Sequence, residues 1–431
     1  MVAAVLFASF AVLLLIGAPI AVCLGISSVA SMLVLGAGRP IDSVLGTIPQ
    51  LVSAATSKTV LLAIPFFILG GNIMDKSGIS AKLICLAETC VGHFRGGVAM
   101  VCVIVACFFA AISGSGPATV AALGLILIPA LIKTGYKPAF SAALMAAAGA
   151  IGVIIPPSIT FVVYGSISDT SIGDLFISGV VPGLLMGLTL ILVTLILGRK
   201  SDLTKMPKAA WKERWVAFKD AFWGLLMPVI ILGGIFSGIF SITEASGVAV
   251  VYSAIIAFFV NRSVKLKDIP DMIIEAASTS GLVLILAGAG TAMAWGIANE
   301  RVMSLLIEPL SQMPQWGFLL LVNVLLLVCG MFMDDYASTV ILAPIIAPIA
   351  WAIGINPLHI GLVFCINLVV GLATPPFGVT LFVTSPIAGV RIEQTAKEAL
   401  PFLLMTIAIL LLVTFVPDIA LWLPESMGYL S

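Results

Sequence analysis

Four short stretches of this sequence interrupt runs that are otherwise apolar, three with glycine, proline and small hydroxyl side chains and one with two aspartates. They are Ile112-Ser113-Gly114-Ser115-Gly116-Pro117-Ala118-Thr119, Gly152-Val153-Ile154-Ile155-Pro156-Pro157-Ser158, Met331-Phe332-Met333-Asp334-Asp335-Tyr336-Ala337-Ser338 and Gly371-Leu372-Ala373-Thr374-Pro375-Pro376-Phe377-Gly378. Glycine and proline interrupt helices. A helix interrupted at membrane depth frees N–H and C=O groups that lipid cannot satisfy, so such a break must line a polar cavity or bind something. Helix dipoles indicate what. Pro117 and Pro157 fit the first position of a new helix, whose free N–H groups and positive end suit an anion such as a carboxylate. The half-helices that finish at Ile112 and Ile155 present carbonyl oxygens instead. With the hydroxyls of Ser113, Ser115 and Ser158 these make a hard-oxygen cage for a small cation, Na⁺ being the natural candidate.

Ionisable residues within apolar stretches are functional suspects. Asp334 and Asp335 are two of them, and Asp334 reads first as a cation ligand, with the N-cap of a helix starting near Ala337 as the alternative. Arg301, beside Glu300, reads either as a clamp for a substrate carboxylate or as an interfacial ion pair. Glu244 sits in a turn and reads as structural. His93 and His359 are the only histidines, and neither a Ser-His-Asp set nor a metal-binding histidine pattern is present. The Gly-Ser-Gly-Pro tip lacks the lysine of a phosphate loop, which argues against ATP hydrolysis. The seven cysteines occur singly in apolar surroundings and read as small core side chains.

The elements that must position these residues follow from composition. Of 431 residues, 61% are hydrophobic and 9% charged, too few charges for the surface of a soluble protein of this size. Twenty basic residues balance twenty acidic ones, which removes the case for a nucleic-acid partner. The fold expected is an all-α polytopic membrane protein. Apolar spans lie near 2–16, 19–36, 59–75, 137–168, 179–198, 221–240, 244–260, 272–298, 358–387 and 400–423. The first lacks a basic flank and a cleavage site, so it reads as a retained span rather than a signal peptide. Shorter arms at 97–112, 118–132, 317–332 and 337–351 fall below the roughly 30 Å of a hydrocarbon core, so each pair reads as a re-entrant hairpin.

Segment 199–220 carries seven Lys/Arg and is expected on the cytoplasmic side, with Trp211 and Trp215 suggesting an amphipathic helix at the headgroup surface. Carried along the spans, that assignment puts seventeen of the twenty basic residues inside, leaves Arg39, Lys58 and Arg301 outside or within the membrane, and puts both chain ends outside the cytoplasm. An offset of 219 residues aligns Pro129 with Pro348, Pro138 with Pro357, Pro156-Pro157 with Pro375-Pro376, and Pro182 with Pro401. The halves so related have opposite orientation, which is the inverted-topology repeat of secondary transporters. Gly179, Gly183 and Gly187 recur at four-residue spacing without such doubling and read as a packing face.

The tip Ser113–Thr119, the Ile155–Ile159 break, the Thr243-Glu244-Ala245 turn and the Gly371–Gly378 break, in this order and spacing, resemble the large membrane subunit of TRAP (tripartite ATP-independent periplasmic) transporters over essentially the whole chain. The resemblance implies an elevator-type fold with two re-entrant hairpins and two discontinuous helices. It divides the chain into scaffold helices at 1–77, half a transport domain at 78–198, a linker at 199–220, further scaffold at 221–300 and the second transport half at 301–431. It implies Na⁺-driven uptake of an organic acid across the bacterial inner membrane, with no organic cofactor, a separate small four-helix membrane subunit and a periplasmic solute-binding protein. It puts one Na⁺ at Ser113, Gly114, Ser115, Pro156 and Ser158, and another at Asp334, Gly371, Thr374 and Gly378. Substrate would lie between them, at Gly116, Thr119, Thr160, Ser338 and Arg301. Two positions depart from the family pattern, Ser241-Ile242 where Thr-Pro is usual and Phe377 where Val is frequent. A stand-alone Na⁺/dicarboxylate or citrate carrier of the same superfamily is the second reading. An intramembrane aspartyl hydrolase built on Asp334 and Asp335 is a remote third.

Overall fold

The computed structural model describes residues 2–36, 40–41, 45–198, 206–299, 309–310 and 312–428. Arg301, Glu300, Arg39 and the basic residues 199, 200 and 205 lie outside this set. Among the described residues nine helical stretches are long and apolar enough to cross a membrane.

The molecule is organised around two helices that are apolar on every side, α8 (Pro138–Gly152) and α16 (Pro357–Leu372), with Phe140 to Gly152 and Leu358 to Leu372 wholly buried. A helix without a polar face belongs in an interior. Each begins with proline at its first position, where the missing N–H costs nothing. Asn356 caps the second, its Oδ1 accepting from the Leu358 N–H at 2.9 Å. Each axis is interrupted and resumes as a short helix, α9 (Ile159–Ser168) after α8 and α17 (Val379–Ile387) after α16. The Pro156-Pro157 and Pro375-Pro376 bonds within the two breaks are both cis.

A helical hairpin packs against each axis. Helices α6 (Gly97–Ser113) and α7 (Gly116–Lys133) flank α8, and α14 (Gln315–Phe332) and α15 (Asp335–Ala352) flank α16. The hairpin bases lie at opposite ends of the molecule. Lys137, at the base of the first, shares a cavity with Val390 beyond the end of α17. Trp351, at the base of the second, shares one with Asp169 beyond the end of α9. The halves also exchange partners, α9 packing on α15 and α17 on α7. The hairpin arms are 17 or 18 residues long, about 26 Å of helix. They are longer than the apolar runs alone indicated, because Ser113, Asp335 and the chain beside them are helical; three of the four are long enough to count as spans. Length therefore does not decide whether these arms re-enter or cross.

The remaining helices sit outside this core. They are α1 (Val2–Leu15), α2 (Ile20–Leu35), α3 (Thr47–Thr56), α4 (Ala63–Lys76), α5 (Ile79–Val91), α11 (Trp211–Phe236), α12 (Ile242–Ile255) and α13 (Ile269–Asn299). Helices α10 (Ile172–Gly198), α18 (Ile392–Phe415) and α19 (Asp418–Ser426) complete the chain. Along α10, Gly179 faces Phe161 and the Ile154 carbonyl, Gly183 faces Ile155, and Gly187 faces the Cys107 sulfur, so the glycine stripe is a packing face. Glu244 is structural too. Its carboxylate accepts from the Ser241 N–H at 2.8 Å while the Ser241 hydroxyl accepts from the Glu244 N–H, a capping box that starts α12. Serine thus supplies the cap where the related pattern has threonine.

The expected surface helix at 199–220 is not separate. The charged, tryptophan-bearing turns from Trp211 run straight into the apolar span as one 26-residue helix, α11, and the boundary expected at 220 falls inside it. Polarity changes there, but nothing at Asp220 or Ala221 breaks a helix.

Candidate functional site

The tip of the first hairpin is a two-residue turn. Gly114 takes a left-handed φ of 65°, which glycine adopts without cost, and its N–H caps α6 by donating to the Ala110 carbonyl at 2.7 Å. Ser115 is extended and is the N-cap position of α7. The hydroxyls form a local knot. Ser113 Oγ lies 2.8 Å from Thr119 Oγ1, which donates to the Ser115 carbonyl at 2.8 Å. This knot abuts the first break, where the Ile159 N–H donates to the Gly114 carbonyl at 3.4 Å. Ser158 is the N-cap of α9, its Oγ accepting from the Phe161 N–H at 3.4 Å. Pro157 therefore precedes the cap instead of opening the helix, and Pro117 is the second residue of α7, not the first. Val153, Ile154 and Ile155 donate to the carbonyls three residues back, so the end of α8 tightens before the chain turns.

The second half repeats this plan with different chemistry. Asp334 is the N-cap of α15, and its Oδ1 accepts from the Ala337 N–H at 2.7 Å. Beside it the second break closes tightly. A Cβ placed on Gly378 would lie 2.8 Å from the Leu372 carbonyl oxygen and 2.9 Å from that of Thr374. Two backbone oxygens and the Thr374 amide nitrogen, also at 2.9 Å, thus converge on one small space. The Thr380 hydroxyl donates to the same Leu372 carbonyl at 2.9 Å. Gly371 and Gly330 meet backbone to backbone, with a Cβ on Gly371 only 2.6 Å from the Gly330 Cα. Phe377 is half exposed, its ring 5.5 Å from Phe332 and 6.3 Å from Phe382. The unusual aromatic therefore forms one wall beside the break.

The two clusters meet. Thr160, in the first turn of α9, donates its hydroxyl to Asp335 Oδ2 of the second hairpin, and Asp335 is 3% exposed. The Tyr336 hydroxyl faces Ser115 across the same junction. Ser338 is fully buried, and its hydroxyl has no partner among the described residues. The carboxylates of Asp334 and Asp335 serve different partners, one an N-cap and the other Thr160. Aspartyl catalysis requires two carboxylates facing a common water, so this geometry gives no support to the hydrolase reading.

A cavity of about 200 Å³ opens between the outer helices and this core, lined by Lys58, Leu61, Ser166, Gly290, Thr291 and Val340 among others. The Lys58 ammonium donates to the Ser166 carbonyl and lies 3.2 Å from Asp169 Oδ1.

Residues 7–419 match the family described as "Tripartite ATP-independent periplasmic transporter, DctM component". The chain belongs to the TRAP transporter large permease family. It is 44% identical to the C4-dicarboxylate TRAP transporter large permease protein DctM of Pseudomonas aeruginosa, over 85% of this chain and 87% of that protein. It is 41% identical to the isethionate TRAP transporter permease protein DctMQ of Oleidesulfovibrio alaskensis over 97% of this chain, and it spans 66% of that longer protein. The YdaH transporter of Alcanivorax borkumensis has the same fold, with a TM-score of 0.64 at 16% identity, over 90% of this chain and 89% of that one.

In this TRAP large permease the residues expected around the first cation lie on the first tip (Ser113, Gly114, Ser115) and the first break (Pro156, Ser158), which touch through Gly114 and Ile159. Those expected around the second lie on the second tip (Asp334) and the second break (Gly371, Thr374, Gly378), where the hairpin and the break touch through Gly330 and Gly371 and through Phe332 and Phe377. Of the residues expected to face substrate, Ser338 and Thr160 lie at the junction of the clusters. Thr119 is tied into the first tip, and Gly116 packs on Ala150 and Val153 of the α8 region. Arg301 lies outside the described residues. Sequence reasoning missed the Thr160–Asp335 bond, Tyr336 and Lys58. A permease of this family is a multi-pass membrane protein, and the relatives it resembles are transporters rather than enzymes.

Proposed function

We propose that this large permease carries out sodium-coupled uptake of a small organic anion across the bacterial inner membrane by an elevator motion. The observation that carries the reading is that each hairpin tip is seated on the broken helix of its own half, and that the second tip reaches across to the first broken helix at the Thr160–Asp335 contact. Hairpins whose tips end at broken helices inside the protein fit a re-entrant arrangement, which supports the reading. One Na⁺ binds among the Ser113–Ser115 tip and the Pro156–Ser158 break. The other binds among the free oxygen of Asp334 and the carbonyls of Leu372 and Thr374. Substrate sits between them, beside the unpartnered hydroxyl of Ser338.

Relatives named for a C4-dicarboxylate and for isethionate, a sulfonate, support an anionic substrate. Lys58, paired with Asp169, adds a second basic side chain at the cavity between the outer helices and the core, beside the role expected of Arg301. In the elevator reading helices α1 to α4 and α11 to α13 form the scaffold, and the hairpins with the broken helices move. A small membrane subunit and a periplasmic binding protein complete the system, and the DctMQ relative supports the former.

Reconstitution into proteoliposomes with both partners tests this. Uptake should require an inward Na⁺ gradient and collapse when a Na⁺ ionophore is added. Uptake that persists without the gradient, or that needs no binding protein, refutes the coupling and the tripartite assembly respectively. The second of these results favours the stand-alone carrier.

A further inference from the structure

Away from the transport core, α11 begins with four side chains on one face, Trp211, Arg214, Trp215 and Phe218, at spacings of three and four residues. They face Leu86 and Cys90 of α5 and enclose a groove of about 310 Å³. Its walls are apolar except at one place. The Nε and Nη2 atoms of Arg214 are buried in the groove and meet no acceptor among the described residues. The neighbouring acid is already used, since Glu213 accepts from the Ala210 N–H at 2.7 Å and so caps the helix start. Trp215 is held in place by stacking on Phe218, 5.7 Å between centroids, with the Lys219 ammonium 5.7 Å from its ring. Trp211 is 80% exposed.

Two guanidinium nitrogens held out of water without an acceptor among the described residues are unfavourable, and an anion in the groove would satisfy them. Guanidinium donors pair with phosphate in a fixed fork geometry. Indole rings belong at the membrane interface, where one end of the site is wet and the other apolar. Lys208, Lys212 and Lys219 flank the site and add positive charge where the polar turns of α11 enter the apolar span. A free phosphate ion would satisfy Arg214 but would leave the walls made by Leu86, Trp211 and Phe218 against water. A ligand with a phosphate at one end and hydrocarbon at the other satisfies both.

We propose that this groove is a binding site for an anionic phospholipid, whose phosphate pairs with Arg214 and whose acyl chain lies along Leu86 and Phe218. Native mass spectrometry of the full chain in detergent, titrated with phosphatidylglycerol, phosphatidylcholine or inorganic phosphate, tests it. One tight phosphatidylglycerol adduct is expected, weakened at least fivefold by Arg214→Gln and less by Arg214→Lys, with phosphatidylcholine binding at least fivefold more weakly. Brominated phosphatidylglycerol should quench tryptophan fluorescence, and Trp211→Phe with Trp215→Phe should remove most of that quenching. Those two variants leave Arg214 in place and keep the test usable where Arg214→Gln does not fold. Equal binding by Arg214→Gln, or displacement of the lipid by millimolar inorganic phosphate, overturns the proposal. So does protection of the exposed Cys90 from maleimide by the small membrane subunit but not by lipid, which would make the groove a subunit interface.

Discussion

Replacing Thr160 by valine removes one hydroxyl and keeps the shape of the side chain, so the effect measures the bond to Asp335 and not a cavity. Both residues are buried, Thr160 completely and Asp335 to 3% exposure, and no water can take over the lost donor without rearrangement. An unsatisfied buried group costs about 1–3 kcal/mol, more when it is charged. Thr160→Val should therefore destabilise the protein by roughly 2–3 kcal/mol. The sign of the coupling is the sharper test. Asp335→Asn replaces the charge by a neutral amide, which is cheaper to leave unpaired, so Thr160→Val should cost less in that background. The expected interaction in the double-mutant cycle is at least about 1 kcal/mol. Unfolding in mixed micelles of a mild and a denaturing detergent, followed by near-ultraviolet circular dichroism, gives the four stabilities. A Thr160→Val variant within about 0.5 kcal/mol of the parent, or additive single effects, would show that the contact joining the two halves carries no energy.

Asp334 should separate its two roles by substitution. Asparagine caps as well as aspartate, so Asp334→Asn should keep stability within about 0.5 kcal/mol while raising the Na⁺ concentration for half-maximal uptake severalfold; Asp334→Ala should also lose about 1 kcal/mol of helix capping. Unchanged Na⁺ dependence in Asp334→Asn would reduce the residue to a cap. Gly371→Ala places a methyl 2.6 Å from the Gly330 Cα, backbone that can move only if α14 and α16 separate, and should cost about 1–3 kcal/mol in thermal unfolding. Lys58→Gln should leave stability nearly intact, because its ion pair with Asp169 is exposed and worth under about 1 kcal/mol, yet change the uptake KM at least threefold. A KM equal to the parent's would remove Lys58 from the substrate path.

The repeat was legible because proline is scarce enough to serve as a marker. Pro138 and Pro357 do open equivalent helices, and the three Gly/Pro stretches with the Asp334-Asp335 stretch are the tips and breaks. The pairing of tip with break within each half came from the family resemblance. The contact between halves was not legible, because an internal alignment relates Asp334 to Ser115 by symmetry and says nothing of which residue faces Asp335. Helices α3 and α5 were also hidden. At 10 and 13 residues they are too short to register as spans, and they are amphipathic and less apolar than most of the spans. The start of α11 misled in the opposite way, since charge and tryptophan marked a chemical boundary that the backbone ignores. Lys58 was legible only as a basic residue left outside or within the membrane, and the approach of Ser166, more than one hundred positions later, gives it a place.

The exchange of α9 and α17 between the halves bears on how the chain is made. When the ribosome has released the first repeat, α9 still lacks α15, α7 still lacks α17, and the hydroxyl of Thr160 has no carboxylate to meet. The polar interior of the first half stays open until residues 335–387 have entered the membrane, so that half cannot mature alone. Until then its open Ser-Gly tip has to be shielded by lipid, insertase or chaperone, and a chain truncated before Asp335 should be recognised as unfinished and degraded.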